Sequence, residues 1–446
     1  MKNKFKESLS ILLLIGMLTE GTDGKGIRLR RTLLWLVVVL LLCAVTVQAA
    51  VPYPAPHRPW LKVGVVAYQS TMSQAQIDWA AKNIDWFDNP HEEFLAQYKA
   101  LTNAPMMRYM EYCSVYTTDA WVYGAMKAYA TSHAGNVEDM FIHYETGEKV
   151  PCVVGSWSGD RYFTNPKHPL YVSFIKEFMV SVTQVSAGVS YDGVFIDDAH
   201  DRILERALGG SGGPMIEYPN TTTRVADYDR DILALYDAVR TVFAPLGLVQ
   251  VANPAEYNYP ALAGRVDGVF HETLMLGGDI GNRWARFDRL ATNNAKGTYN
   301  VIGFAGLDNA ALQIEALAAF YIRCNPAMDY FWVQGSYSGN LQTEQWFPAL
   351  GSANGDVGIP TGAYTSAGGS AYQRDYTKAL ILLSLGGSYK FTLPSGSYRP
   401  LNADGTLGSS VSGSITLGNE VGAILMKSGT TPPPPNPSAP TGLRER

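Results

Sequence analysis

Two hydrophobic patterns alternate along the chain. Short continuous apolar runs, rich in β-branched and aromatic residues, read as buried strands. Between them, apolar residues recur at helical spacing. The runs predict strands at Lys62–Ala67, Ile84–Phe87, Met106–Tyr112, Gly193–Ile196, Leu248–Ala252, Gly268–His271, Val301–Phe304 and Met328–Val333. The second pattern predicts a helix from an N-cap at Ser73 through Ala81, then helices over Pro90–Thr102, Asp227–Phe243, Asn282–Asn294, Ala310–Arg323 and Thr343–Leu350. The third strand is followed by a long insertion. It holds a helix near Ala120–Ser132, a hairpin over Met140–Val150 turning at Thr146-Gly147, and an Asn165-Pro166 segment that opens the next helix. A Gly-rich loop, Leu208–Pro214, precedes the Asp227 helix. Strands alternating with helices in this way predict an α/β fold, a (β/α)8 TIM barrel over residues 50–363. Its active site is expected at the C-terminal ends of the strands.

From about Tyr364 the texture changes. Leu380–Leu385, Tyr389–Leu393 and Val421–Met426 are short strands separated by Gly, Pro, Asn and Ser turns. They predict a small C-terminal antiparallel β-domain over 364–428, packed on the barrel. Residues 429–446 read as a Pro-rich, semi-rigid linker. Its last piece, Pro437–Arg444, resembles the start of a fibronectin type III module.

The N-terminus adds a compartment. Arg28, Arg30 and Arg31 precede the apolar run Leu33–Val47, and Val47-Gln48-Ala49 offers a small-residue cleavage site. This is the pattern of a secretory signal peptide cut after Ala49, with an odd extension over residues 1–27. A secreted, extracellular or periplasmic protein is expected, with no stable membrane span after cleavage. Removing residues 1–49 leaves 28 Lys/Arg against 37 Asp/Glu, a net charge of −9. An acidic secreted chain is a poor partner for nucleic acid, and favours neutral or cationic substrates. Cys113, Cys152 and Cys324 have no metal-ligand spacing. A Cys113–Cys152 disulfide is open, with unpaired buried cysteines as the simpler expectation. No Ser nucleophile elbow, phosphate loop, paired-His zinc motif or dinucleotide glycine fingerprint occurs, so neither a metal nor a cofactor is expected.

Candidate chemistry concentrates in two segments of the same build. Tyr191-Asp-Gly-Val-Phe-Ile-Asp-Asp-Ala-His200 and Val266-Asp-Gly-Val-Phe-His-Glu272 both run Asp-Gly-Val-Phe, one residue, then a carboxylate. Ionisable side chains at the mouth of a buried strand are costly unless they are used. Two parallel strands would deliver Asp197 and Glu272 to one end of a sheet as a carboxylate pair, the pair that glycoside hydrolysis needs. Asp192 and Asp267, before Gly, read as turn residues. Asp198 and His200 are candidate neighbours of Asp197, though adjacent Asp197 and Asp198 must point to opposite faces. Asp88, Arg108, Tyr109, Glu111, Asn253 and His271 lie near other strand ends and are candidate ligands for sugar hydroxyls. Tyr68, Trp157, Trp332 and Trp346 are candidate stacking surfaces.

These two segments resemble the secreted barrel-type glycoside hydrolases, especially the hypothetical glycosyl hydrolase family 15, and more distantly the endo-α-1,4-polygalactosaminidases. Further similarity lies in Asn165-Pro166, in Leu350-Gly351 through Gly358–Tyr364, and in Tyr372-Gln-Arg-Asp-Tyr376, spanning about residues 60–426. The resemblance implies a catalytic Asp on the fourth strand and Glu on the sixth, which fall on Asp197 and Glu272. This chain departs from the family where Leu380–Ser384 replaces an Asn-Pro strand, which leaves the role of Arg374 open. The expectation is a monomeric secreted glycosidase acting on a neutral or cationic polysaccharide or oligosaccharide. Asp197 is expected as nucleophile and Glu272 as general acid/base, with the reverse assignment open. The alternatives are a carbohydrate-binding barrel without turnover, or a polysaccharide deacetylase.

Overall fold

A computed structural model describes residues 57–153, 160–186, 188–208, 213–255 and 259–429. The segment expected to be a signal peptide, the centre of the Gly-rich loop, Trp157 and the Pro-rich C-terminal stretch lie outside these residues. Eight parallel strands close into a barrel in sequence order: β1 (Lys62–Val66), β2 (Trp86–Asp88), β3 (Met106–Glu111), β4 (Gly193–Asp197), β5 (Val249–Ala252), β6 (Gly268–Leu276), β7 (Tyr299–Ala305) and β8 (Tyr330–Val333), with β8 returning to β1. All eight are the predicted strands. Helices α1 (Gln74–Asn83), α2 (Glu92–Leu101), α3 (Val122–Ser132), α4 (Pro169–Thr183), α5 (Arg224–Phe243), α6 (Asp288–Ala295) and α7 (Ala310–Arg323) lie between them. Ser73 caps α1 in a capping box with Gln76, as its position suggested. The Asn282 and Thr343 segments break into shorter pieces, each containing a single 3₁₀ turn or more.

The N-terminal rim of the barrel follows one rule. Each even strand is preceded by an Asp whose carboxylate accepts a backbone N–H from the odd strand before it. Asp85 takes Val63, Asp192 takes Met106, Asp267 takes Gln250 and Asp329 takes Asn300, at 2.8–3.0 Å. The Asp of each Asp-Gly-Val-Phe segment is therefore a register pin, remote from the chemistry. The Gly that follows is needed for close approach. A Cβ at Gly193 would stand 2.0 Å from the Val249 carbonyl oxygen, and one at Gly268 would stand 2.4 Å from the Tyr299 ring. Two residues on, Phe195 and Phe270 meet inside the barrel with centroids 5.0 Å apart. Strand alternation then aims Asp197 and Glu272 the same way, one layer above.

The C-terminal segment forms a five-stranded antiparallel sheet in the order β9 (Thr365–Gly368), β10 (Ala371–Asp375), β11 (Ala379–Ser384), β13 (Val421–Lys427), β12 (Tyr398–Pro400). β11 is buried on both faces. Ile381, Leu383 and Ile424 join the barrel's own core against α7, while Leu380, Leu382 and Leu425 pack on Phe391 and Leu417 of an adjoining ribbon. The sheet is a separate layer that shares a core with the barrel. Arg374, left open by the sequence, joins the two. Its Nη1 donates to the carbonyls of Tyr321 and Cys324 at 3.0 and 2.9 Å, satisfying the C-terminal end of α7. Cys113, Cys152 and Cys324 are all free thiols and buried. Among the described residues no helix is long and apolar enough to cross a membrane.

Candidate active site

The C-terminal mouth of the barrel opens into a cleft of about 680 Å³. Asp197 ends β4, and Glu272 lies in β6 where the ladder to β7 shifts register between His271 and Met275. The residue after each leaves the strand in the left-handed region: Asp198 at φ 52° and Thr273 at φ 49°. Asn89, directly after Asp88 on β2, does the same at φ 45°. Asn and Asp tolerate this conformation, whereas a β-branched Thr is an outlier that its surroundings must hold. Gln334, just past β8, does so by accepting both the Thr273 N–H and its hydroxyl, at 2.8 and 2.7 Å.

One side-chain amide joins the two carboxylates. Asn253, the residue after β5, donates from Nδ2 to Asp197 Oδ1 at 2.8 Å and to Glu272 Oε2 at 3.1 Å. Its orientation is fixed by the Ala255 N–H, which donates to Oδ1 at 2.7 Å. Both bonds leave one nitrogen, so the bridged oxygens lie under about 6 Å apart. A second donor completes each carboxylate. The Tyr109 hydroxyl reaches Asp197 Oδ2 at 2.9 Å, and the Tyr337 hydroxyl donates to Glu272 Oε1.

Around this pair lie further ionisable groups. Burial, and then the Asp198 charge, raise the Asp197 carboxyl to about 7, against a smaller downward pull from its hydrogen bonds. Asp88 is buried, with Oδ2 accepting from the Tyr68 hydroxyl at 3.1 Å and no protein partner for Oδ1. Burial pushes its carboxyl well above the usual range. Glu111, level with Asp197 in the β3–β4 ladder, accepts at Oε2 from Ser114 and from Arg161, each at 2.7 Å. Arg161 also donates to Asp198, so one buried guanidinium neutralises two carboxylates beside Asp197. His200 lines the cleft 3.8 Å from Asp198, and burial lowers its pKa.

The structure thus brings together Tyr68, Asp88, Tyr109, Glu111, Asp197, Asp198, His200, Asn253 and Glu272. Three expectations, at His271, Trp332 and Trp346, are corrected, and Arg108 is placed off the main cleft. His271 is 1% exposed and bonded through Nε2 to Asn300 at 2.9 Å. Flanked by inward-facing Phe270 and Glu272, it points outward, and burial lowers its pKa to about 3. Trp332 is fully buried, donates to Gln345 at 2.8 Å and stacks beneath Tyr337. It supports the site without meeting a ligand. Arg108 pairs with Glu92 and Tyr191 on the flank and does not line the main cleft. Trp346, half-buried, packs edge-on against Trp79 at the border of the barrel's core, away from the cleft. Conversely, Tyr116, Trp121, Arg161 and Tyr337 line the cleft without having been singled out. They come from loops and from the long insertion, where no strand end marks them. Among the described residues no group of three or more His, Cys, Asp or Glu side chains is arranged to hold a metal ion.

The fold and site define a (β/α)8 barrel with a carboxylate pair at its C-terminal mouth. No family model matches the chain, and no curated protein was found to be similar. Among solved structures it is similar to a noncanonic maltogenic α-amylase from Thermotoga neapolitana, at 11% identity over 82% of this chain and 98% of that one, with a TM-score of 0.45. It is also similar to an α-amylase from Malbranchea cinnamomea, at 11% identity over 85% of this chain and 88% of that one, with a TM-score of 0.43. A third is the glycoside hydrolase domain of PelA from Pseudomonas aeruginosa, at 12% identity over 62% of this chain and 96% of that one, with a TM-score of 0.38. The architecture itself rests on the closed strand order of this chain.

Proposed function

We propose that the protein is a retaining glycoside hydrolase, with Asp197 as nucleophile and Glu272 as general acid/base. The observation that carries this reading is the Asn253 bridge. A single amide nitrogen touching both carboxylates keeps their near oxygens under about 6 Å apart, which favours the close spacing of retaining pairs over the roughly 6.5–9.5 Å of inverting ones. Asp197 is held at both oxygens by Tyr109 and Asn253 on a short side chain at the end of a strand, as suits a group that must form a bond to the sugar at a fixed position. Glu272 is on a longer side chain, as suits exchange of a proton with the leaving group and then with water. Asp88, the tyrosine hydroxyls and His200 are arranged around the pair as ligands for sugar hydroxyls. The acidic cleft favours a neutral or cationic glycan.

The pH profile tests the assignment. A nucleophile must be ionised, and Asp197 is raised to about 7, so it is protonated below that pH and ionised above it. In a hydrolysis screen with the chain lacking residues 1–49, kcat/KM on an active glycan should therefore fall as pH drops below about 7. A limb in which activity is lost as pH rises through 7, with none on the acid side, would instead make Asp197 the general acid.

A further inference from the structure

We propose that Trp121 is the platform of a second sugar-binding subsite, so that the substrate is a glycan chain and not a single terminal sugar. The proposal rests on the glycosidase reading of the cleft. Three depressions meet at this one side chain. The first is the cleft that holds Asp197 and Glu272. The second, of about 450 Å³, shares Tyr68, Tyr109 and Trp121 with it and continues past Asn89, Glu92 and Arg108. The third, of about 400 Å³, carries on from Glu92, Arg108 and Trp121 over Phe178 and Gln184 on the outer flank. A continuous trough therefore runs from the carboxylates, past the Trp121 ring, out to the surface.

Trp121 is 46% exposed, the only aromatic among the large hydrophobic side chains that stand out from the described surface. It stands at the meeting point of the three depressions, where an exposed indole offers an apolar surface to a ligand. It is also held ready. Asp119 Oδ1 accepts its backbone N–H at 2.7 Å, the Arg108 guanidinium lies 4.9 Å from its ring centroid, and Phe178 packs at 5.7 Å. Arg108 is itself fixed by Glu92 at 2.6 Å and by the Tyr191 hydroxyl at 3.2 Å. A ligand meeting this ring has little ordering cost to offset. Arg108 lies over one side of the ring, and the part of the indole left exposed, beside Asn89 and Glu92, matches a pyranose, whose axial C–H face is apolar and whose rim is hydroxyl.

The test separates binding from turnover. The chain lacking residues 1–49 and carrying Glu272→Gln is run through native gels containing soluble starch, chitosan, galactomannan or xylan, alone and with Trp121→Ala added. At least one polymer should retard the Glu272→Gln protein, and Trp121→Ala should weaken that binding about tenfold, the scale of one stacked aromatic. Trp121→Phe, which keeps a flat ring, should stay within about threefold. Equal retardation with and without Trp121, in protein of unchanged melting temperature, would overturn the platform. So would the absence of retardation by all four polymers. Hydrolysis of small chromogenic glycosides by the unsubstituted protein, measured in parallel, reports on the glycosidase reading independently.

Discussion

Asp197→Asn and Glu272→Gln should each leave a folded protein whose turnover is lower by at least about 10²-fold, the usual scale for a group that transfers a proton or forms a bond in the reaction. Both changes keep the shape of the side chain and an oxygen acceptor for the Asn253 amide, so the bridge across the cleft can persist. The two losses should differ in kind. Azide is a small anionic nucleophile that needs no proton removed. With the nucleophile gone it attacks the sugar directly, giving a glycosyl azide of inverted configuration. With the acid/base gone it attacks the glycosyl-enzyme and gives a retained product. Opposite anomers from the Asp197 and Glu272 variants are therefore expected on a substrate with a good leaving group. If either variant hydrolyses such a substrate at the native rate, that residue is structural, and a carbohydrate-binding barrel without turnover becomes the better account.

Arg161→Met should cost up to about 3–5 kcal/mol in unfolding free energy, because it leaves two half-buried carboxylates without their common cation. In the native protein one guanidinium donates through Nη2 to Glu111 and Asp198, and through Nε to Ser114 at 2.8 Å. The same variant should move the acid limb of kcat/KM to higher pH. With Arg161 gone, the Asp198 charge presses on Asp197 unopposed, and a carboxylate beside an unopposed like charge holds its proton longer. Arg161→Lys should recover part of the stability, since one ammonium restores charge but cannot reproduce the three-way fork. Chemical denaturation of the full mature chain would show both effects. A loss under about 1 kcal/mol would mean that Glu111 and Asp198 are satisfied without Arg161.

Much of this was written in the local pattern. The eight barrel strands are visible because buried parallel strands are continuous apolar runs bounded by turns, and each strand end exposes its next polar residue to the mouth. The twin Asp-Gly-Val-Phe segments also carried more than chemistry. Asp192 and Asp267 pin neighbouring strands, and the phenylalanines set the direction of Asp197 and Glu272. Parity alone would have removed His271 from the ligand set, since it sits between Phe270 and Glu272 on the same strand. Trp332 needed depth as well as parity, because it lies one layer below the mouth. What the pattern could not hold was convergence from afar. Arg161 stands 37 positions before its Asp198 partner and Tyr337 stands 65 beyond Glu272, with no motif around either. The apolar run Leu380–Leu383 did contain a hint, since a strand without alternation is covered on both faces, here by α7 and by the ribbon carrying Phe391.

The central claim is a covalent step at Asp197, and trapping it is the most direct test. The mature chain would be incubated with a panel of 2,4-dinitrophenyl 2-deoxy-2-fluoro-glycosides, whose fluorine slows release of the glycosyl-enzyme more than its formation. Intact mass should rise by one fluorosugar, and peptide mapping should place it on the Asp197 side chain. A label on Glu272 would reverse the roles, while steady hydrolysis of a cognate glycoside with no labelled protein at any time would contradict a retaining mechanism.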